Sequence, residues 1–192
     1  MGKIKAIVDA AQTLFAEKGY ENTPVAEIAK IAGVAGGTII YHFKNKENLL
    51  FIVTWRILYS LYKSTLKGLG PSPDGLQAAV AFVDTFFDSL ESHRNEFQLM
   101  LKNTAYDTLD VDAFPNADLK LLHLRYLQLL EDALDRGQRD GSINIEDVHA
   151  TATIIYATLV GAARMHISHG EPLGVLHKEA ATFVRARLTL PA

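Results

Sequence analysis

Acids, histidines and hydroxyls that recur three or four residues apart in a helix share one face and can act together. Glu146-Asp147-Val148-His149 has the Glu-x-x-His spacing of a carboxylate-bridged di-iron bundle. That chemistry needs a second such pair and two further glutamates, and the capping residues of a helix start already explain this one. His166 and His169 are three apart, but no third ligand lies at a useful spacing. The chain has no cysteine, which excludes thiol catalysis, Cys-ligated zinc and a disulfide framework. Walker loop, nucleophile elbow and HExxH patterns are absent. The expectation is a protein that is not an enzyme and needs neither metal nor cofactor.

The grouping that remains is Thr38, Tyr41 and His42, followed by Lys46. Thr38 and Tyr41 fall on one helix face, where two hydroxyls suit phosphate or base-edge contact. His42 suits a phosphate hydrogen bond or packing beside Phe43, itself a core residue. Lys46 opens a helix, where a cation opposes the helix dipole. An external anion, such as a DNA phosphate, gives it a reason to be there.

These residues are positioned by three short elements. Ile4, Ile7, Val8, Ala11, Leu14 and Phe15 form one apolar stripe on a first helix near 4–18, ending at Lys18-Gly19. Helices near 24–31 and 35–41 follow, joined by Ala32-Gly33-Val34, and are too short to stand without packing on the first. Two short helices with a tight glycine-containing turn make a helix-turn-helix, whose second helix enters the DNA major groove. Ala29, Gly33 and Val34 let them cross closely. Thr23 is expected to cap the second helix, and its hydroxyl or the amides behind it suit a phosphate. On spacing alone, an ordinary helical hairpin stays open.

Gly19-Tyr20, Thr23, Val25, Ile28-Ala29, Ala32-Gly33-Val34, Gly37-Thr38-Ile39, Tyr41-His42-Phe43, Lys44-Asn45-Lys46-Glu47 and Leu49-Leu50 resemble, in order and spacing, the N-terminal domain of the TetR family of bacterial transcriptional regulators. The resemblance implies a helix-turn-helix DNA-binding domain at 1–46 and a helical ligand-binding and dimerisation domain at 47–192. It further implies a repressor of a palindromic operator, released by a small apolar or aromatic molecule. The implied DNA contacts are Thr23, Gly36, Gly37, Thr38, Ile40, Tyr41, His42 and Lys46. The chain departs from the family pattern at Ala35-Gly36-Gly37, where a Ser and a polar or basic residue commonly precede one Gly. It departs again at Ile40, in place of a common Tyr, and at Pro24, in place of a second hydroxyl. Glycines offer a base edge no side chain, so discrimination rests chiefly on Thr38 and Tyr41, with Ile40 suited to a thymine methyl.

The rest of the chain also reads as helical, with further helices near 46–67, 73–92, 96–106, 117–136, 145–168 and 173–188, so the fold class is all-α with about nine helices. Lys67-Gly68 and Arg136-Gly137 read as stops. Its 192 residues, 48% hydrophobic and 21% charged, exclude a disordered or fibrous chain. A net charge of -3 argues against nucleic acid until it is divided. Residues 1–67 carry 9 Lys and Arg against 5 acids, and residues 68–192 carry 10 against 17, breaking at the Gly/Pro cluster 68–75. The surplus over residues 1–50 is only 6 Lys against 5 acids, which keeps open a helical ligand carrier that never touches DNA.

A cavity in the second domain would draw its lining from Trp55, Phe86, Met100, Tyr126 and Tyr156, with His93, Asn103, His123 and Arg164 as polar anchors. The eighth helix is apolar or small nearly all round from Ile145 to Ile167, which means burial on two sides. The family resemblance implies a homodimer built on it and the ninth helix, through Ile155, Leu159, Ala162, Ala163, His166, Leu176, Ala180 and Phe183. No secretory signal or membrane span is read, the longest uncharged stretch being the 14 residues Ala150–Ala163, so a cytoplasmic location is expected.

Overall fold

The structure, a computed structural model, describes residues 2–102 and 118–189. Every regular element among these residues is an α-helix: α1 Lys3–Lys18, α2 Val25–Ala32, α3 Gly36–Phe43, α4 Lys46–Leu69, α5 Gly75–Ser92, α6 Arg94–Lys102, α7 Leu119–Asp140, α8 Val148–His169 and α9 Leu173–Thr189. They divide into two units, one drawn from Met1–Tyr59 and Asn95–Leu119, the other from Ser60–Arg94 and Lys120–Ala192.

The first unit has one apolar cluster. Ile7, Val8, Ala11, Leu14 and Phe15 of α1 meet Ile28 and Ala29 of α2, Ile39 and Phe43 of α3, and Leu49, Leu50, Val53 and Ile57 of α4, with Leu99 of α6. Each large side chain so buried is worth about 1.5–3 kcal/mol, which is what gives the eight-residue α2 and α3 a stable shape. Between them Gly33 takes φ +66°, a left-handed conformation that glycine adopts without a Cβ clash, and Val34 N–H closes the turn on the Ala29 carbonyl at 3.0 Å.

In the second unit α5 packs on α8 and α9. Two glycines read as stops in the sequence lie inside helices instead. α4 runs past Gly68, where a Cβ would meet Thr85 Oγ1 at 2.3 Å, and α7 runs past Gly137 to Asp140. A Cβ on Gly75 would lie 2.1 Å from the Gly137 nitrogen and 2.6 Å from the Ala133 carbonyl oxygen. These glycines bring helices together. The chain turns later, at Gly70 and Gly141, both with positive φ.

The α5–α7 approach is fastened by polar groups. The Asp140 carboxylate accepts from Gly75 N–H at 2.9 Å and Ser142 N–H at 3.0 Å, while Arg136 donates to the Ser72 carbonyl at 2.7 Å. Hydrogen bonding from Ser142 and the Gly75 amide holds the Asp140 carboxyl below its ordinary range. The expected start of the eighth helix also moves. Asp147 caps α8 by accepting from Ala150 N–H at 2.9 Å, leaving Ile143 and Ile145 as buried residues of the preceding loop.

Gly75→Ala is expected to destabilise the fold by about 2–3 kcal/mol, because the backbone of α7 must yield. That corresponds to roughly 4–12 °C in Tm. A thermal melt within 1 °C of wild type, on the order of a neutral surface change, would show that this crossing is not tight.

Candidate nucleic-acid interface

α3 divides its residues between two tasks. Ile39 and Phe43, four apart, are buried at 0% and 2% exposure and hold the helix against the first unit's core. The other face carries Ile40 at 48% and Tyr41 at 75% exposure, with Thr38 and His42 half-buried beside them. Tyr41 and His42 meet edge to face at 5.0 Å, and His42 meets Phe43 in the same manner at 6.5 Å, so the imidazole is fixed between an exposed ring and a core ring. Gly36 and Gly37 start the helix, exposed, and a Cβ on either would meet nothing within 4 Å. Internal packing therefore does not call for glycine there, although each costs a helix about 1 kcal/mol relative to alanine.

The end of α3 is sharp. Lys44 takes φ +70°, the only positive φ on a non-glycine among the described residues, and its N–H bonds the Ile40 carbonyl at 3.0 Å. Asn45 then caps α4, its Oδ1 accepting from Asn48 N–H at 2.7 Å. Lys46 has a partner inside the chain, its ammonium lying 4.2 Å from the centroid of the Tyr20 ring. Tyr20 in turn meets Phe15 edge to face at 5.4 Å, and burial together with the Glu47 carboxylate pushes its hydroxyl pKa up. Lys46 remains half-buried at the start of α4, on the same unit as α3.

Thr23 needs correction. Pro24 is the N-cap of α2, without a side-chain cap, and Thr23 is fully buried. Its hydroxyl faces the carbonyls of Gly19 at 2.8 Å and Leu14 at 3.3 Å, pinning the α1–α2 turn from within. A proline at the cap position leaves α2 no side-chain acceptor there, and the threonine serves the core. It has no surface to offer a phosphate.

Four residues expected at a dimer interface also face inward. Ile155, Leu159 and Ala163 on α8 and Ala180 on α9 are 0–7% exposed within the single chain. Their spacing places them on the own-unit side of these helices. Ala162, His166 and Leu176 are half-buried, and Phe183 is exposed. The outward apolar residues missed from the sequence are Ile154 and Met165 on α8 and Val175 on α9. Only the phase of α8 against α5 separates the two sides of a helix apolar all round.

Of the residues expected around a ligand, the second unit brings three together. His123 meets Tyr156 at 5.2 Å and Tyr156 meets Tyr126 at 5.7 Å, while the buried Thr65 hydroxyl donates to Tyr126 Oη at 3.4 Å. Burial lowers the His123 pKa and pushes the Tyr156 hydroxyl up to about 12. Phe86 is buried in the same unit, Arg164 is exposed on α8, and His93 turns its ring nitrogen to the Ser89 carbonyl at 3.2 Å. Trp55, stacked on Tyr59 at 5.0 Å, and Met100, against the α1–α4 cluster, belong to the first unit, whereas Asn103 lies outside the described residues.

Residues 7–52, the helix-turn-helix and the start of α4, match the family model of bacterial regulatory proteins, tetR family. This segment is a TetR-family DNA-binding domain. The chain accordingly carries the DNA-binding helix-turn-helix of a transcriptional regulator. Among curated relatives, the fatty acid metabolism regulator protein of Bacillus subtilis is 28% identical over 158 residues, 82% of this chain and 79% of that protein. Two solved structures share the fold. A putative transcriptional regulator from Saccharomonospora viridis in complex with choline matches with TM-score 0.82 and 21% identity over 97% of each chain. FadR from Bacillus subtilis in complex with stearoyl-CoA matches with TM-score 0.79 and 22% identity, over 96% of this chain and 99% of that one.

Tyr41→Ala should leave stability within about 0.5 kcal/mol of wild type, since the side chain is exposed, and should weaken duplex binding at least about tenfold. Thr23→Val should do the reverse, costing about 1–2 kcal/mol of stability while leaving the salt dependence of duplex affinity unchanged. Melting curves and fluorescence anisotropy on both variants check this, and a stable Tyr41→Ala variant that binds like wild type would remove α3 from the interface.

Proposed function

We propose that this chain is a cytoplasmic repressor that binds a palindromic operator as a homodimer and is released by a long apolar molecule of the acyl-CoA class. The observation that carries the reading is the outward face of α3. Tyr41 and Ile40 are exposed beside Thr38, and Gly36 and Gly37 present bare backbone where a side chain would fit freely. A duplex pressed on that helix start explains glycines that packing leaves unexplained, because it lets backbone amides approach a phosphate closely. Thr38 and Tyr41 supply the base-edge contacts, and His42 and Lys46 the phosphate contacts.

A second copy of the chain is the proposed cover for Ile154 and Met165 of α8 and for Val175 and Phe183 of α9, large apolar groups 43–63% exposed on two adjacent helices. The exposed Gly161 between them leaves room for a partner helix. Two-fold pairing of this face would set two recognition helices against successive half-sites about one DNA turn apart. No helix among the described residues is long and apolar enough to cross a membrane.

For the effector, the favoured site is the second unit, around His123, Tyr126 and Tyr156. The ring surfaces suit an acyl chain, while the imidazole and hydroxyls suit a carbonyl or thioester. The relative named for fatty acid metabolism, at 28% identity, supports that class above the choline carried by a structural neighbour.

Selection of bound duplexes from random DNA with the purified chain, followed by titration with stearoyl-CoA and with choline, tests the reading. The expected result is a palindrome whose affinity falls steeply with salt, released about 5- to 150-fold by stearoyl-CoA and not by choline. A duplex affinity that stays flat as salt rises would favour instead a carrier that does not engage DNA. Enrichment of a palindrome indifferent to stearoyl-CoA would remove the effector class alone.

A further inference from the structure

α4 is one continuous helix whose residues up to Tyr59 belong to the first unit and whose residues from Ser60 belong to the second. Whatever fixes α4 against α1 therefore fixes the direction in which the chain leaves the DNA-binding unit. Most of that attachment is apolar, through Leu49, Leu50, Val53 and Ile57. Apolar burial is non-directional, so the area it covers does not by itself specify one orientation as a hydrogen-bonded set does.

Arg56 adds direction. Three residues before Tyr59, its half-buried guanidinium reaches three acceptors, all on α1: Nη1 donates to Asp9 Oδ1 at 2.5 Å, Nε to Gln12 Oε1 at 2.7 Å and Nη2 to the Val8 carbonyl at 3.4 Å. The planar fork meets such a set in one orientation only. Asp9 does not depend on this pair for its charge, since Lys5 holds the same carboxylate at 2.8 Å, one turn away on α1. Lys5 first, and then Arg56, keep its pKa below the ordinary carboxylate range. Removing the guanidinium thus leaves Asp9 paired and the apolar cluster intact. What is lost is the directional part of the α4–α1 contact.

We propose that Arg56 is a positioning residue for operator recognition, which, by locking α4 to α1 through Asp9, Gln12 and Val8, sets the half-site spacing that the dimer accepts. The inference rests on the dimeric operator-binding reading. It needs no effector.

The test uses the full-length dimer and the selected operator, with one and two base pairs added to or removed from the centre. Two added base pairs turn one half-site by about 70° and move it about 7 Å. Wild type should lose about 100-fold in affinity, as simultaneous engagement fails. Arg56→Met, which keeps an apolar stem, should bind the best spacing more weakly and lose less than about fivefold on the same insertion. Arg56→Lys should fall between. A uniform loss at every spacing, with the wild-type insertion penalty retained, would overturn the proposal and leave Arg56 a merely structural residue. Should Arg56→Met melt below the assay temperature, Asp9→Asn decides: a flattened profile supports the lock and an unchanged one overturns it. A wild-type dimer indifferent to spacing would overturn both the proposal and the reading beneath it, whereas a steep wild-type profile with an unchanged Arg56→Met profile would overturn the proposal alone.

Discussion

Eight-residue helices do not hold their shape in water. α2 and α3 hold theirs because Ile28, Ile39 and Phe43 are withdrawn completely into a core built by α1 and α4, and because Thr23 spends its hydroxyl on the α1–α2 turn. From that constraint the candidate interface follows. Once Ile39 and Phe43 face inward, the 3.6-residue repeat places Ile40 and Tyr41 outward, while the left-handed Gly33 ends α2 and the positive-φ Lys44 ends α3. Recognition here depends on a core that lies entirely behind it.

The second unit answers to close approach. Gly75 against Gly137, and Gly68 against Thr85, set contacts that no larger residue permits, and Asp140 and Arg136 fasten the chain ends where those contacts occur. α8 then shares its residues between two neighbours. Ala152, Ile155, Leu159 and Ala163 go to its own unit, and Ile154 and Met165 are left outside. An exposed, nearly uncharged helix face is costly for a monomer to keep, which is the physical reason to place a second copy there.

How much of this was legible in the sequence depends on how local each signal was. The all-helical fold, the turn at Gly33 and the start of α4 at Lys46 follow from residues within a few positions of one another, and the structure has them. Signals that depend on a distant partner misled. A glycine after a cation reads as a stop, yet Gly68 and Gly137 are crossings, because what faces them is Thr85 and Gly75. Thr23 before Pro24 reads as a cap, yet the core claims it. The inward side of α8 is invisible without α5. Arg56 carried no spacing signal toward Gln12 and Asp9, which lie 44 and 47 residues from it, although a charged residue next to the apolar run of α4 was a hint that something on another helix answers it. The charge balance spoke only after division, since an acidic body masks a slightly basic head.

The central claim is that two copies of α3 enter successive major grooves on one face of a duplex. Hydroxyl-radical footprinting of the wild-type chain on its selected operator measures this directly. Two protected segments related by two-fold symmetry, with centres about one helical turn apart, and their joint loss in Tyr41→Ala, are the result the account predicts. A single unsymmetric footprint, or protection that survives in Tyr41→Ala, would contradict it.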